Sequence, residues 1–83
     1  MISAKILDNE HLINQCPMCG KTSTLLVNEQ IIDELYNKNA YVQVALDGYT
    51  AAEREFVMTG YCPSCQSSLF GQQFKYTKRW KEV

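Results

Sequence analysis

Four cysteines carry the chemistry in this 83-residue chain, and no fifth is left over. They fall in two pairs, Cys16-Pro17-Met18-Cys19 and Cys62-Pro63-Ser64-Cys65, separated by residues 20–61. A two-residue gap lets both sulfurs of a pair reach one ion from a tight turn. Pro17 and Pro63 pre-set turn backbones, and Gly20 permits a positive φ just after the second ligand of the first pair. Two such turns supply four thiolates, the ligand set of a structural zinc site: tetrahedral, with Zn–S near about 2.3 Å. The expectation is one structural zinc ion held by Cys16, Cys19, Cys62 and Cys65. The second turn has Gln66 where the first has Gly20, so the two must exit differently.

Three rivals compete with zinc. Disulfides need an oxidising compartment. A redox-active C-x-x-C belongs with a thioredoxin-like βαβ pattern, which this chain lacks. A rubredoxin-like iron centre uses similar turns, but the long gap and Gln66 count against it, and an iron electron carrier is only a minor alternative. His11, the single histidine, is read as a half-exposed strand residue, because four thiolates already complete a tetrahedron. Four thiolates also leave no open position for a catalytic water, and with one histidine and no second ligand cluster, metal-dependent hydrolysis has no machinery. Glu53 and Glu55 read as helix-cap and solvent-face residues. The expectation is a protein that is not an enzyme.

Length and composition bound the rest. At 83 residues the chain is one domain, 1–83, too short to draw much stability from its core alone. A metal is a common supplement at this size. A hydrophobic content of 46% argues against wholesale disorder. The N-terminal stretch MISAKILDNEHL has no apolar signal region, and no run approaches a membrane span, so no membrane partner and a reducing cytoplasm are expected. Net charge is -1, but Lys75, Lys78, Arg79 and Lys81 crowd the last nine residues against Glu82 alone. The segment 74–83 interleaves these cations with Phe74, Tyr76 and Trp80. Lys75, Tyr76, Lys78, Arg79, Trp80 and Lys81 are therefore candidate nucleic-acid contacts, by phosphate pairing and base stacking. The competing reading is an edge strand whose charges block aggregation, and its aromatic face offers a route to a homodimer.

The elements that must position the cysteines follow from local pattern. Ile2, Ala4 and Ile6 alternate with polar neighbours and predict a strand over 2–7 with one apolar face. Residues 11–13 predict a second strand running into the first turn, and Thr22 to Asn28 a third leaving it. Ile31, Ile32, Leu35 and Tyr36 share one side of a helix over 29–38, capped by Asn28. Residues 40–46 fit strand or helix. Thr50-Ala51-Ala52-Glu53 is a capping box, opening a helix that buries Ala52, Phe56 and Val57 and stops at Gly60. A short helical segment over 67–70 should end at Gly71, and residues 72–83 read as an edge strand.

Residues 45–70, ALDGYTAAEREFVMTGYCPSCQSSLF, resemble a group of small proteins of phages and of the bacteria that carry them. These share A-L-x-x-L-[ST]-x-x-E-R-E-x-x-x-[ST]-G-x-C-P-x-C after an N-terminal C-P-x-C-G. The matches are Ala45, Leu46, Thr50, Glu53, Arg54, Glu55, Thr59, Gly60, Cys62, Pro63 and Cys65, with Cys16, Pro17, Cys19 and Gly20. Tyr49 stands where leucine is usual. The resemblance covers about half the chain and favours helix over 40–46. It implies a small α+β fold: a four-cysteine zinc ribbon with knuckles at 16–20 and 62–66, a helical insertion over about 29–60, and a C-terminal strand. It also implies a phage-encoded adaptor or inhibitor acting on a host protein in the host cytoplasm. Nucleic-acid binding through the C-terminal segment is the alternative.

Overall fold

Three β-rich runs in the first 26 residues and one at the C-terminus build a single sheet. The structure, a computed structural model, describes residues 2–83. Strands β1 (Lys5–Asp8), β2 (His11–Gln15), β3 (Thr22–Leu26) and β4 (Trp80–Glu82) pair antiparallel in the order β1-β2-β3-β4. The register sets Leu12 beside Leu25 and Leu25 beside Trp80. Directly opposed residues share a face, so these three form one apolar row across the sheet. All three are buried in the core.

Four helices lie between β3 and β4 in the chain: α1 (Glu29–Tyr36), α2 (Val42–Ala45), α3 (Ala51–Thr59) and α4 (Pro63–Phe70). Helices α1 and α3 start where local chemistry says they should. The Asn28 side chain accepts a 2.8 Å bond from the Ile31 amide, and Ile31, Ile32 and Leu35 form the buried stripe of α1. Both halves of the Thr50/Glu53 capping box are made at the start of α3. Ala52, Phe56 and Val57 are buried with the sheet row, and the Phe56 and Trp80 rings sit 4.9 Å apart at 59°. The segment 40–46 is helical, but only over the four residues of α2. No helix among the described residues is long and apolar enough to cross a membrane.

Two strand expectations need correction. The first strand begins at Lys5, not Ile2, because the Ser3 and Ala4 amides donate to the Val57 carbonyl of α3 and not to a neighbouring strand. A bulge between Ile6 and Asp8 disturbs the alternation, and Ile6 and Leu7 both stand exposed. The predicted strand over 72–83 is regular only from Trp80 to Glu82. Residues 72–78 cross instead towards α3 and α4: the Phe74 amide donates to Ser67 Oγ and Thr77 binds Glu53. The chain rejoins the sheet at Arg79, whose carbonyl accepts from the Leu26 amide while its side chain binds Glu53.

Candidate metal centre

The first cysteine pair occupies the turn between β2 and β3. The Cys16 amide donates to the Lys21 carbonyl at 2.8 Å, and the Gly20 amide returns to the Cys16 carbonyl at 2.9 Å. The second pair opens α4: Cys62 is its N-cap, Pro63 takes the first helical position, and Cys65 lies in the first turn. The short link between α3 and α4, residues 60–62, is what delivers this pair to the first. Gly60 ends α3 with φ +91°, and it sits so tightly on β2 that a Cβ there would lie 2.5 Å from the Gln15 carbonyl oxygen. Asn14 Nδ2 secures the same junction with a 3.0 Å bond to the Phe56 carbonyl. The end of α3 is thereby fixed beside the end of β2, and Cys62 beside Cys16.

The four sulfurs of Cys16, Cys19, Cys62 and Cys65 all lie within 4.8 Å of one another. Among the described residues no other His, Cys, Asp or Glu joins the group. Cys19 Sγ is 3.7 Å from Cys62 Sγ, and all four thiols are free. A tetrahedron with metal–sulfur bonds of about 2.3 Å has an edge of about 3.8 Å, so this separation fits two ligands of one ion. Cys16 and Cys62 are buried, Cys65 is half-buried and Cys19 is exposed, which places the cluster at the surface with one side open.

The thiols are unequal. Burial opposes ionisation of Cys16, but the backbone amides of Cys19, Cys62 and Met18 outweigh it and bring the thiol down to about 6. Cys65 goes the other way: its hydrogen bond to Cys62, burial, and the Cys16 and Cys19 thiols push it up to about 12. The cluster accepts one negative charge readily and resists the last. A bound cation supplies the charge that lets all four ionise.

Gln66, the residue that departs from the first turn, has a definite role. It is buried, and its Nε2 donates to the Ala52 and Tyr61 carbonyls, both at 2.9 Å, tying α4 to α3 beside the cysteines. Tyr76 faces the cluster from the C-terminal segment; burial and the adjacent Cys62 hold its hydroxyl up at about 12.

Glu53 corrects an expectation. It caps α3 as predicted, yet it is not on the solvent face: it is 0% exposed. Its carboxylate accepts from the Thr50 amide (2.8 Å), Thr77 Oγ1 (2.6 Å), and Arg79 Nε and Nη2 (2.9 Å each). Arg79 also lies 4.2 Å over the Tyr49 ring. These contacts account for two of the six candidate nucleic-acid residues. The Arg79 fork is committed to Glu53, and Trp80 is buried in the core, which also removes it from the aromatic face offered for a homodimer. Lys75, Tyr76, Lys78 and Lys81 remain exposed. His11 is half-buried on β2, with Nδ1 3.0 Å from Asp8 Oδ1, and takes no part in the cluster.

Nothing in the sequence signalled the Glu53 clasp or the burial of Gln66, because their partners are not neighbours in the chain. No protein-family model, curated protein or solved structure matches the chain.

Proposed function

We propose that this chain is a non-enzymatic, protein-binding module built as a zinc ribbon, with one Zn²⁺ held by Cys16, Cys19, Cys62 and Cys65 and a helical insertion between the two knuckles. The observation that carries this reading is the sulfur cluster. The four sulfurs lie close enough to share one ion, and four thiolates on it would leave no ligand position for water, which supports a structural role for the metal. A scaffold of this kind acts through its surface.

The surface that supports binding lies on the insertion. Tyr41 is 78% exposed and Val44 is exposed beside it on α2. Tyr41 borders an apolar groove of ≈ 490 Å³, whose walls include Ile2, Tyr36, Ala40 and Met58. Tyr36 and Tyr49 spend their hydroxyls on the Ala4 and Leu26 carbonyls instead. The resemblance over residues 45–70 is what supports a host protein as the partner and a phage-encoded adaptor or inhibitor as the role. Nucleic-acid binding has less support, since Trp80 and Arg79 are withdrawn from it.

Metal analysis of the purified chain tests the first half of the reading. One colourless zinc ion per chain is expected; red, iron-containing protein supports the electron carrier instead. Capture from host lysate on the tagged chain tests the second half. A saturable partner lost in Tyr41→Ala supports the module, and capture that is absent or indifferent to Tyr41 removes it.

A further inference from the structure

The outer face of α3 has no role in the metal centre or the core. Ala51, Arg54, Glu55 and Met58 recur at i, i+3, i+4 and i+7, so they form one stripe along the helix. None of the four is buried, and Met58 is 38% exposed. Among the described residues neither Arg54 nor Glu55 enters an ion pair. The stripe borders a shallow groove of ≈ 240 Å³ towards α2, where Val42 lies.

We propose that this face binds a second copy of the chain, with the two α3 helices antiparallel about a two-fold axis midway between residues 54 and 55. Two-fold symmetry makes every contact occur twice with the roles exchanged, so the surface must be its own complement. This stripe is. Antiparallel, Arg54 of one copy meets Glu55 of the other, and Met58 of one meets Ala51 of the other. Both charges find opposite partners, and the long thioether lies over the smallest side chain, at the groove beside Val42. A parallel pair would set Arg54 against Arg54 and Glu55 against Glu55, which like-charge repulsion disfavours. A purely acidic or purely basic partner would satisfy only one of the two charges. Met58 also walls the groove beside Tyr41, but the test is independent of any partner protein, because it uses the purified chain alone.

Analytical ultracentrifugation of the metal-loaded chain from micromolar to millimolar concentration tests it. A reversible monomer–dimer equilibrium is expected. Arg54→Glu and Glu55→Arg should each weaken the dimer roughly tenfold or more, because each sets like charges together twice. An equimolar mixture of the two variants should restore it, since the mixed pair again matches opposite charges. Circular dichroism and metal content check that the variants are folded. Ala51→Trp, which crowds the same stripe without adding a charge, should also yield monomer. A chain that stays monomeric at millimolar concentration overturns the proposal. So does a dimer that neither reversal weakens, or variants that fail to rescue one another.

Discussion

Arg79 closes on Glu53 with two parallel bonds, Nε to Oε2 and Nη2 to Oε1, each 2.9 Å long. The carboxylate is fully buried, while the guanidinium side chain remains 36% exposed. This pair fastens the segment after α4 to the first turn of α3, and so sets Trp80 over Phe56. Removing the arginine leaves a buried charge without its partner, which costs about 3 kcal/mol or more. Arg79→Ala should lose that much in urea unfolding followed by Trp80 fluorescence. Arg79→Lys should recover only part, because an ammonium cannot reproduce the planar fork. A loss under about 1 kcal/mol in Arg79→Ala would mean the clasp is ornamental.

The same carboxylate makes stability depend on pH in a defined direction. Burial alone would raise the Glu53 pKa. The bonds from Arg79, Thr77 and the Thr50 amide outweigh it and hold the group at about 2, against an ordinary 4.5. A depressed pKa means the unfolded chain binds this proton more tightly than the folded one. The stabilisation is therefore complete above pH 4.5 and lost as the pH falls through about 2. The shift corresponds to about 3 kcal/mol. Glu53→Gln should be less stable than the parent by that order near neutrality. Zinc thiolates are protonated and released in that acid window, so the comparison belongs where the metal stays bound. Chemical unfolding of both metal-loaded proteins between about pH 6 and 8 should show a gap that does not change with pH, because Glu53 is ionised in both the folded and the unfolded state throughout. Equal stability of the two proteins there contradicts the assignment.

Removing the ion should undo the tertiary structure, since the sulfur cluster joins the β2–β3 turn to the start of α4. Structural zinc contributes roughly 10–16 kcal/mol of apparent free energy in small domains, more than an 83-residue core supplies. A strong chelator should abolish the near-ultraviolet circular dichroism of Trp80 and the tyrosines, and one equivalent of Zn²⁺ should restore it. Cys62→Ser should lower metal affinity by orders of magnitude, because it replaces a buried thiol of the cluster with a hydroxyl that stays protonated at neutral pH. An apo chain that still unfolds cooperatively would show that the ion is dispensable.

Gly60 offers a test without charge or metal chemistry. Its φ of +91° disfavours any side chain, and the Cβ position is already filled by the Gln15 carbonyl oxygen. Gly60→Ala must therefore push α3 away from β2, at a cost of at least about 2 kcal/mol. For a domain this size that lowers Tm by about 8–16 °C. Metal affinity should fall with it, since the same junction sets Cys62 beside Cys16. Gly48→Ala, at a positive φ in open space, gives the comparison: backbone strain alone, and no loss of metal affinity.

Much of the molecule is legible one turn at a time. Asn28, the Thr50/Glu53 box, Gly60 and Gly71 mark helix ends because the groups they satisfy lie within four residues along the chain, whereas α4 starts at Pro63, four residues before the helical segment expected over 67–70. The cysteine pairs are legible for a related reason. Each is a two-residue loop whose geometry is local, and four thiols in two such loops have few other uses. The C-terminal segment misleads for the opposite reason. Alternating aromatic and basic residues predict a strand with a greasy face. That pattern carries no trace of a carboxylate 26 residues earlier that takes up the Arg79 side chain.

The residue types and their spacing were enough to pick out the four cysteines that cluster and most helix boundaries, since those follow from short-range hydrogen bonding and local turn geometry. Only the tertiary structure decided that Glu53 is internal, that Trp80 completes the core, that Gln66 braces the second turn, and that α3 keeps a bare, charge-matched outer face. Each of those outcomes depends on which distant segment arrives to share a burial site. Desolvation and close packing settle that jointly for the whole chain, and no window of sequence contains both halves of the contact.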